Sequence, residues 1–247
     1  MTKNYDPDLR NRLPANNNES GVVLNSNFEA WTEHIDKVLS HSLSCGSRRY
    51  REEPDSKLLV SYKDHASRYQ RAQRAENTVM LTHPFYLHLS HMGEIRSEGV
   101  RREVGEYLDN LLKLLNLNRV RSEVGMVALE TIHHYAAATS LLLEAGLIDR
   151  VIFTERDRGC ILDKEELEEF GENDVFFCGG YNRKCLTSSI GDMEDVSSPN
   201  RIWAVEDLVL NSPEDYNETL RTGEVRGVAQ SRVIGLDKAV QKLKLAS

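Results

Sequence analysis

From Thr78 onward the chain alternates short apolar runs with longer segments of helical period, and few architectures accommodate that alternation. The runs are Thr78-Val79-Met80-Leu81-Thr82, Met126-Val127-Ala128-Leu129, Val151-Ile152-Phe153-Thr154, Val175-Phe176-Phe177-Cys178 and Ile202-Trp203-Ala204-Val205. Continuous apolar runs of this length suit strands covered on both faces, the situation in a parallel sheet between two helix layers. The intervening segments supply the cover. Val100, Val104, Leu108, Leu111 and Leu115 form one stripe of a helix over 97–116. A second helix starts at Thr131, a good N-cap, runs through Ile132, Tyr135, Ala136, Thr139 and Leu143, and stops at Gly146. A short acidic helix spans Asp163 to Phe170, and another covers about 183–194. Arg232-Val233-Ile234 offers a further strand, and Leu236, Val240 and Leu243 a last helix. Right-handed crossovers distribute these helices over both faces. The expected fold is a three-layer, Rossmann-like α/β domain over residues 77–247, with a mainly parallel sheet of five or six strands.

The preceding residues read differently. Positions 1–25 are rich in Asn, Asp and Pro without apolar period, which predicts a disordered tail. Within 26–76, Phe28, Trp31, Ile35, Val38 and Leu39 share one helical face, and Arg68, Arg71 and Arg74 recur at three-residue steps. This predicts a helical N-terminal extension. The 12 Lys/Arg against 11 Asp/Glu over 1–76 make that part +1, so the α/β part carries -9, for a net of -8. An acidic domain is a poor general partner for a nucleic-acid backbone. No apolar stretch reaches the roughly 18–20 residues that cross a bilayer, and the first twenty residues are too polar for a secretory signal. The cytoplasm is the expected compartment. Cys45, Cys160, Cys178 and Cys185 form no CxxC pair, so reduced thiols are expected.

Open parallel sheets bind ligands outside the carboxyl ends of their strands. His83 follows the first run, Glu130 ends the second, Glu155-Arg156-Asp157 follow the third, Gly179-Gly180-Tyr181-Asn182-Arg183 the fourth and Glu206-Asp207 the fifth. His83 is a candidate general base, with an ordinary pKa near 6.5, and Asp157 or Glu155 could orient it. His88, His91, His133 and His134 lie nearby in sequence without HExxH spacing, and no metal site is assigned. Glu130, Glu155 and Glu206 are candidate ligand contacts, and no cofactor is specified by any motif.

The turn Gly179-Gly180-Tyr181-Asn182-Arg183-Lys184-Cys185 carries the sharpest alternatives. Paired glycines permit positive φ and close approach of a ligand to backbone. A helix N-terminus beside Arg183 and Lys184 suits a carboxylate or phosphate, and it lowers the pKa of a cysteine held there. Cys185 is also compatible with simple burial beside Leu186, Ile190 and Met193.

The spacing resembles that of the isochorismatase-like cysteine hydrolases, in which a strand ends in Gly and a nucleophilic Cys opens a helix six residues later. Gly179 and Cys185 match that spacing, and the next strand ends in Glu206-Asp207 in similar order. The resemblance covers about residues 150–210 and implies an α/β fold with Cys185 attacking an amide-type carbon. The family's Asp after its first strand is replaced by Thr82-His83, and its catalytic Lys has no clear counterpart, Lys164 being in the general region. Two functions are therefore expected: a cysteine-dependent hydrolase of a C–N bond in a small molecule, or a non-catalytic domain binding an anion or nucleotide. The partner in either case is an anionic or amide-containing small molecule, and self-association is compatible with both.

Overall fold

The computed structural model describes residues 75–87, 95–121, 124–131, 139, 142–143, 147–155, 158–211 and 223–244. The expected tail, nearly all of the N-terminal extension, and His88, His91, His133, His134, Arg156 and Asp157 lie outside these residues.

Six strands form one wholly parallel sheet: β1 (Asn77–Thr82), β2 (Gly125–Glu130), β3 (Arg150–Phe153), β4 (Asp174–Gly179), β6 (Ile202–Val205) and β8 (Val233–Ile234). Their order across the sheet is β3-β2-β1-β4-β6-β8. The chain first builds outward from β1 to β3, then crosses back to lay β4 on β1's other side. Two two-residue strands, β5 (Tyr181–Asn182) and β7 (Leu210–Asn211), make a separate parallel pair beyond the end of β4.

Alternate strand residues feed two cores. Val79, Leu81, Met126, Ala128, Phe176 and Cys178 pack with Val104, Leu111 and Leu115 of α1 (Glu98–Arg121). They are joined by Leu236 and Val240 of α4 (Leu236–Lys242). Met80, Val127, Leu129, Val175, Phe177 and Ala204 face Leu167 of α2 (Glu165–Glu168) and Leu186, Ile190 and Met193 of α3 (Cys185–Glu194). The three-layer α/β fold expected from the apolar runs is thus the fold of the described residues. Among them no helix is long and apolar enough to cross a membrane.

Helix boundaries moved for identifiable reasons. α1 continues five residues past 116, because Leu117-Asn118-Arg119-Val120-Arg121 contains neither Gly nor Pro to end it. α3 begins at Cys185 rather than 183, because Arg183 takes φ 63°, a left-handed conformation a helix cannot include.

Candidate functional site at the carboxyl edge

The reversal of strand order places a topological switch point between β1 and β4, where the two halves of the sheet diverge and leave a crevice. Backbone strain gathers at the same place. Of the seven described residues with positive φ, five lie on this edge: His83 (41°), Gly159, Gly179 (78°), Gly180 (66°) and Arg183. His83 is the most informative, since a bulky residue before proline is doubly disfavoured there. Such a conformation costs about 1–3 kcal/mol and persists only where its surroundings hold it.

What holds His83 can be named. Its backbone N–H donates to the Leu129 carbonyl at 2.8 Å, tying the end of β1 to β2. Its Nε2 lies 2.8 Å from the Thr154 hydroxyl beyond β3, so the imidazole reaches across the ends of two strands. The Tyr107 hydroxyl, from α1, donates to the Pro84 carbonyl at 2.9 Å and fixes the rest of the turn.

On the β4 side, glycine is required rather than merely tolerated. A Cβ on Gly179 would stand 2.4 Å from the Thr82 carbonyl oxygen, and one on Gly180 would crowd both Thr82 and the Cys185 sulfur. The glycines therefore let β4's turn press against β1, not against open solvent.

Between the two turns lies a narrow, closely packed cleft of about 10 Å³, room for about one water, lined by His83, Pro84, Tyr86, Leu87, Tyr107, Gly180, Tyr181 and Leu210. Three of its rings are in contact range: His83 and Tyr86 have centroids 6.1 Å apart, and Tyr86 meets Tyr181 edge-on at 5.7 Å. Below it, Glu130 is fully buried. One carboxylate oxygen accepts from the Thr131 N–H and the other from the Thr139 hydroxyl, each at 2.9 Å.

Cys185 lies behind Gly180 and does not line the crevice. It is 2% exposed, and its sulfur accepts from the Tyr181 N–H at 3.2 Å. Burial pushes its thiol up. The N–H groups of Tyr181, Leu186 and Cys185 itself pull the other way, and the Glu130 carboxylate adds to the rise. Burial outweighs the helix N-terminus, so the thiol is raised above its ordinary value and is a poor thiolate at neutral pH. Lys164, from the hydrolase-like region, pairs at 2.7 and 2.8 Å with Asp192 near the end of α3 and Asp195 just past it, well away from Cys185.

The remaining candidates separate. His83, Gly180 and Tyr181 share the crevice, Gly179 shapes it, and Glu130 underlies it. Asn182 is committed elsewhere: its amide donates to the Glu224 carbonyl and accepts from the Arg226 N–H, latching the 223–228 turn. Arg183 and Glu155 are exposed. Glu206 sits with Asp207 beside Gly235, where the Asp207 carboxylate accepts from the Leu236 N–H and caps α4. Asp157 lies outside the described residues.

The anion-binding expectation for the glycine turn also meets an obstacle. The Tyr181 N–H goes to Cys185 sulfur, the Arg183 N–H to the Thr187 hydroxyl, and the Lys184 N–H to the Tyr181 carbonyl. Donors that would cradle an anion are turned inward.

Sequence reasoning missed Tyr86, Leu87, Tyr107 and Leu210. Aromatic and apolar residues on separate elements carry no site signature in a single sequence; only the strand order brings them together. No family model, curated protein or solved structure matches the chain.

Proposed function

We propose that this chain binds a small molecule on the carboxyl edge, over the narrow cleft between the ends of β1 and β4 and beside His83. The observation carrying the reading is a coincidence of independent features. The switch point, the held left-handed conformation of His83 and the ring-lined crevice occupy one spot. A cysteine-dependent hydrolase is the less supported alternative, given a buried thiol with a raised pKa.

Chemical-shift mapping on the full chain tests the reading. A fragment mixture of mixed charge and ring content is expected to shift the amides of His83, Gly180 and Tyr181. Shifts confined to Asn77, Asn173 and Asp174, at the opposite edge of the sheet, would overturn it.

A further inference from the structure

The rim of the proposed site differs in charge from the domain that carries it. We infer that the ligand bears a compact, doubly charged oxyanion of the phosphate class, held by the side chains of Arg183, Lys184, Arg226 and Arg158 while the rest of the molecule lies over the cleft; this deepens the proposed site and rests on it.

Three separately tethered segments bring these cations together. Tyr181 lines the cleft, and Arg183 and Lys184 follow it at the start of α3, both exposed. The turn over 223–228 is latched to the same place, since the Asn182 amide bonds to the Glu224 carbonyl and the Arg226 N–H. Gly227 in that turn lies so close to Ile190 of α3 that a Cβ would come within 2.9 Å. Gly159 packs against Cys185 in the first turn of α3, and its carbonyl accepts from the Ser189 hydroxyl at 2.8 Å. Its exposed neighbour Arg158 therefore belongs to the same rim.

These cations are also uncommitted, which most others are not. Arg102, Lys113, Arg150, Lys164 and Arg201 each pair with a carboxylate, and Arg232 and Lys242 lie over the Trp203 ring. Among the described residues, Arg158, Arg183, Lys184 and Arg226 make no ion pair. In the same three segments they stand four against the two carboxylates of Glu155 and Glu224. That local excess of two positive charges sits on a stretch, 77–247, that carries -9. Repulsion among the rim cations is relieved by a bound anion, and a dianion matches the excess.

Side chains must do the holding. The N–H groups of Tyr181, Arg183 and Lys184 bond inward, so neither the glycine turn nor the helix start offers a backbone cradle. A guanidinium presents a planar fork that bonds two oxygens at once. Several forks with a lysine suit an oxyanion with three terminal oxygens better than a lone carboxylate. An extended nucleic acid fits poorly, because beyond the rim it would meet the acidic remainder of the domain.

Amide-detected NMR titrations of the full chain, with inorganic phosphate, phenyl phosphate, acetate, nicotinamide and a short single-stranded RNA as separate probes at constant ionic strength, test this. Both phosphates are expected to shift the Arg183, Lys184 and Arg226 amides, and phenyl phosphate those of His83, Gly180 and Tyr181 as well. Acetate should bind about tenfold more weakly. The double variant Arg183→Gln, Arg226→Gln, its fold checked by its amide spectrum, should weaken both phosphates about tenfold or more. Lys238→Gln, at an exposed cation on α4, should leave them unchanged. Nicotinamide shifting His83, Gly180 and Tyr181 while both phosphates fail would overturn the inference and leave the site reading standing. Rim shifts with both phosphates, but none from phenyl phosphate at His83, Gly180 and Tyr181, would keep the anion contact and overturn the site over the cleft. Silence from every probe would overturn both, and RNA binding more tightly than phenyl phosphate would overturn the small-molecule reading in favour of nucleic acid. Should the double variant not fold, each single exchange replaces it, with about three- to tenfold weakening expected and unchanged binding counting against the inference.

Discussion

The two edges of this sheet are built from the same six strands, yet they differ in almost every physical respect. At the amino edge, Ala75, Glu76, Asn77, Glu172, Asn173, Asp174 and Arg201 surround an open depression of about 480 Å³, far larger than the cleft of about 10 Å³ at the carboxyl edge. Its backbone is ordinary, and none of its residues has positive φ. Its polar groups satisfy one another: the Asn173 side chain donates to the Thr78 hydroxyl at 2.9 Å, the Asp174 N–H to the Glu76 carbonyl, and Arg201 pairs with Glu172. The carboxyl edge instead holds strained backbone, a fully buried carboxylate, and thiols and a phenol pushed toward their neutral forms. Size alone would select the amino edge. Strain maintained by specific contacts is the better guide to where a fold has been bent toward use.

The comparison breaks most readily at Gly179. Gly179→Ala is expected to destabilise the protein by about 3 kcal/mol or more, since the new Cβ meets the Thr82 carbonyl oxygen and the residue keeps an unfavourable φ. Urea unfolding midpoints measure it. A loss below about 1 kcal/mol would mean that the β4 turn can move away from β1, and that the close approach is not a constraint of the fold.

Alkaline pH gives the next effect. Burial raises the Cys178 and Cys185 thiols in the folded chain. The folded state then binds more protons than the unfolded one once pH exceeds the unfolded thiol value near 8.5. Stability is therefore full below that pH and falls as pH rises, by up to about 1.4 kcal/mol per pH unit for each thiol. Unfolding under reducing conditions from pH 7.5 to 10 should show the decline, and Cys185→Ala should flatten part of it. Alkylation adds a kinetic reading. At pH 7, half-buried Cys160 is expected to label well before Cys185. Fast labelling of Cys185 would restore the hydrolase reading and remove the contrast between a buried thiol and an exposed reactive one.

How much of this was legible beforehand follows from what each feature rests on. Strands such as β1 and β6 were readable because both their faces are buried, which leaves an unbroken apolar run in the text. β5 and β7 were not, because two residues cannot show a period. The carboxyl edge was readable in outline, with His83, Glu130, Gly179 and Gly180 all at strand ends. Its quality was not. That Cys185 would be raised rather than lowered depends on a contest between burial and three N–H groups, and sequence displays only the N–H side, as a helix start. That Asn182 would serve the 223–228 turn depends on a contact more than forty residues away. Tyr86, Tyr107 and Leu210 carry no site signature in sequence, and only the strand order places them on one cleft.

At the amino edge the effects should be smaller. Asn173→Ala removes the partner of a fully buried Thr78 hydroxyl, and a loss of about 1–2 kcal/mol is expected by urea unfolding. The probe-induced shifts at His83, Gly180 and Tyr181 should be unchanged in that variant. Altered shifts there would mean the two edges communicate through β1 and β4, which would blur the distinction between them.

Arg201→Ala is the mildest and the most specific test of what the amino edge is for. Arg201 and Glu172 are both substantially exposed, with the carboxylate almost wholly in solvent, and an ion pair of that kind contributes about 0–0.5 kcal/mol at moderate salt. Its guanidinium also donates to the Glu172 carbonyl, so the side chain bridges the turn before β4 to the one before β6. If that bridge is only surface pairing, the unfolding midpoint should move within error and become still less sensitive as salt rises to 1 M, where charges are screened within about 3 Å. A loss above about 1.5 kcal/mol, or one unaffected by salt, would show that the depression is held open by a rigid strut. The amino edge would then share the property that singles out the carboxyl edge, and the case for a single site would weaken accordingly.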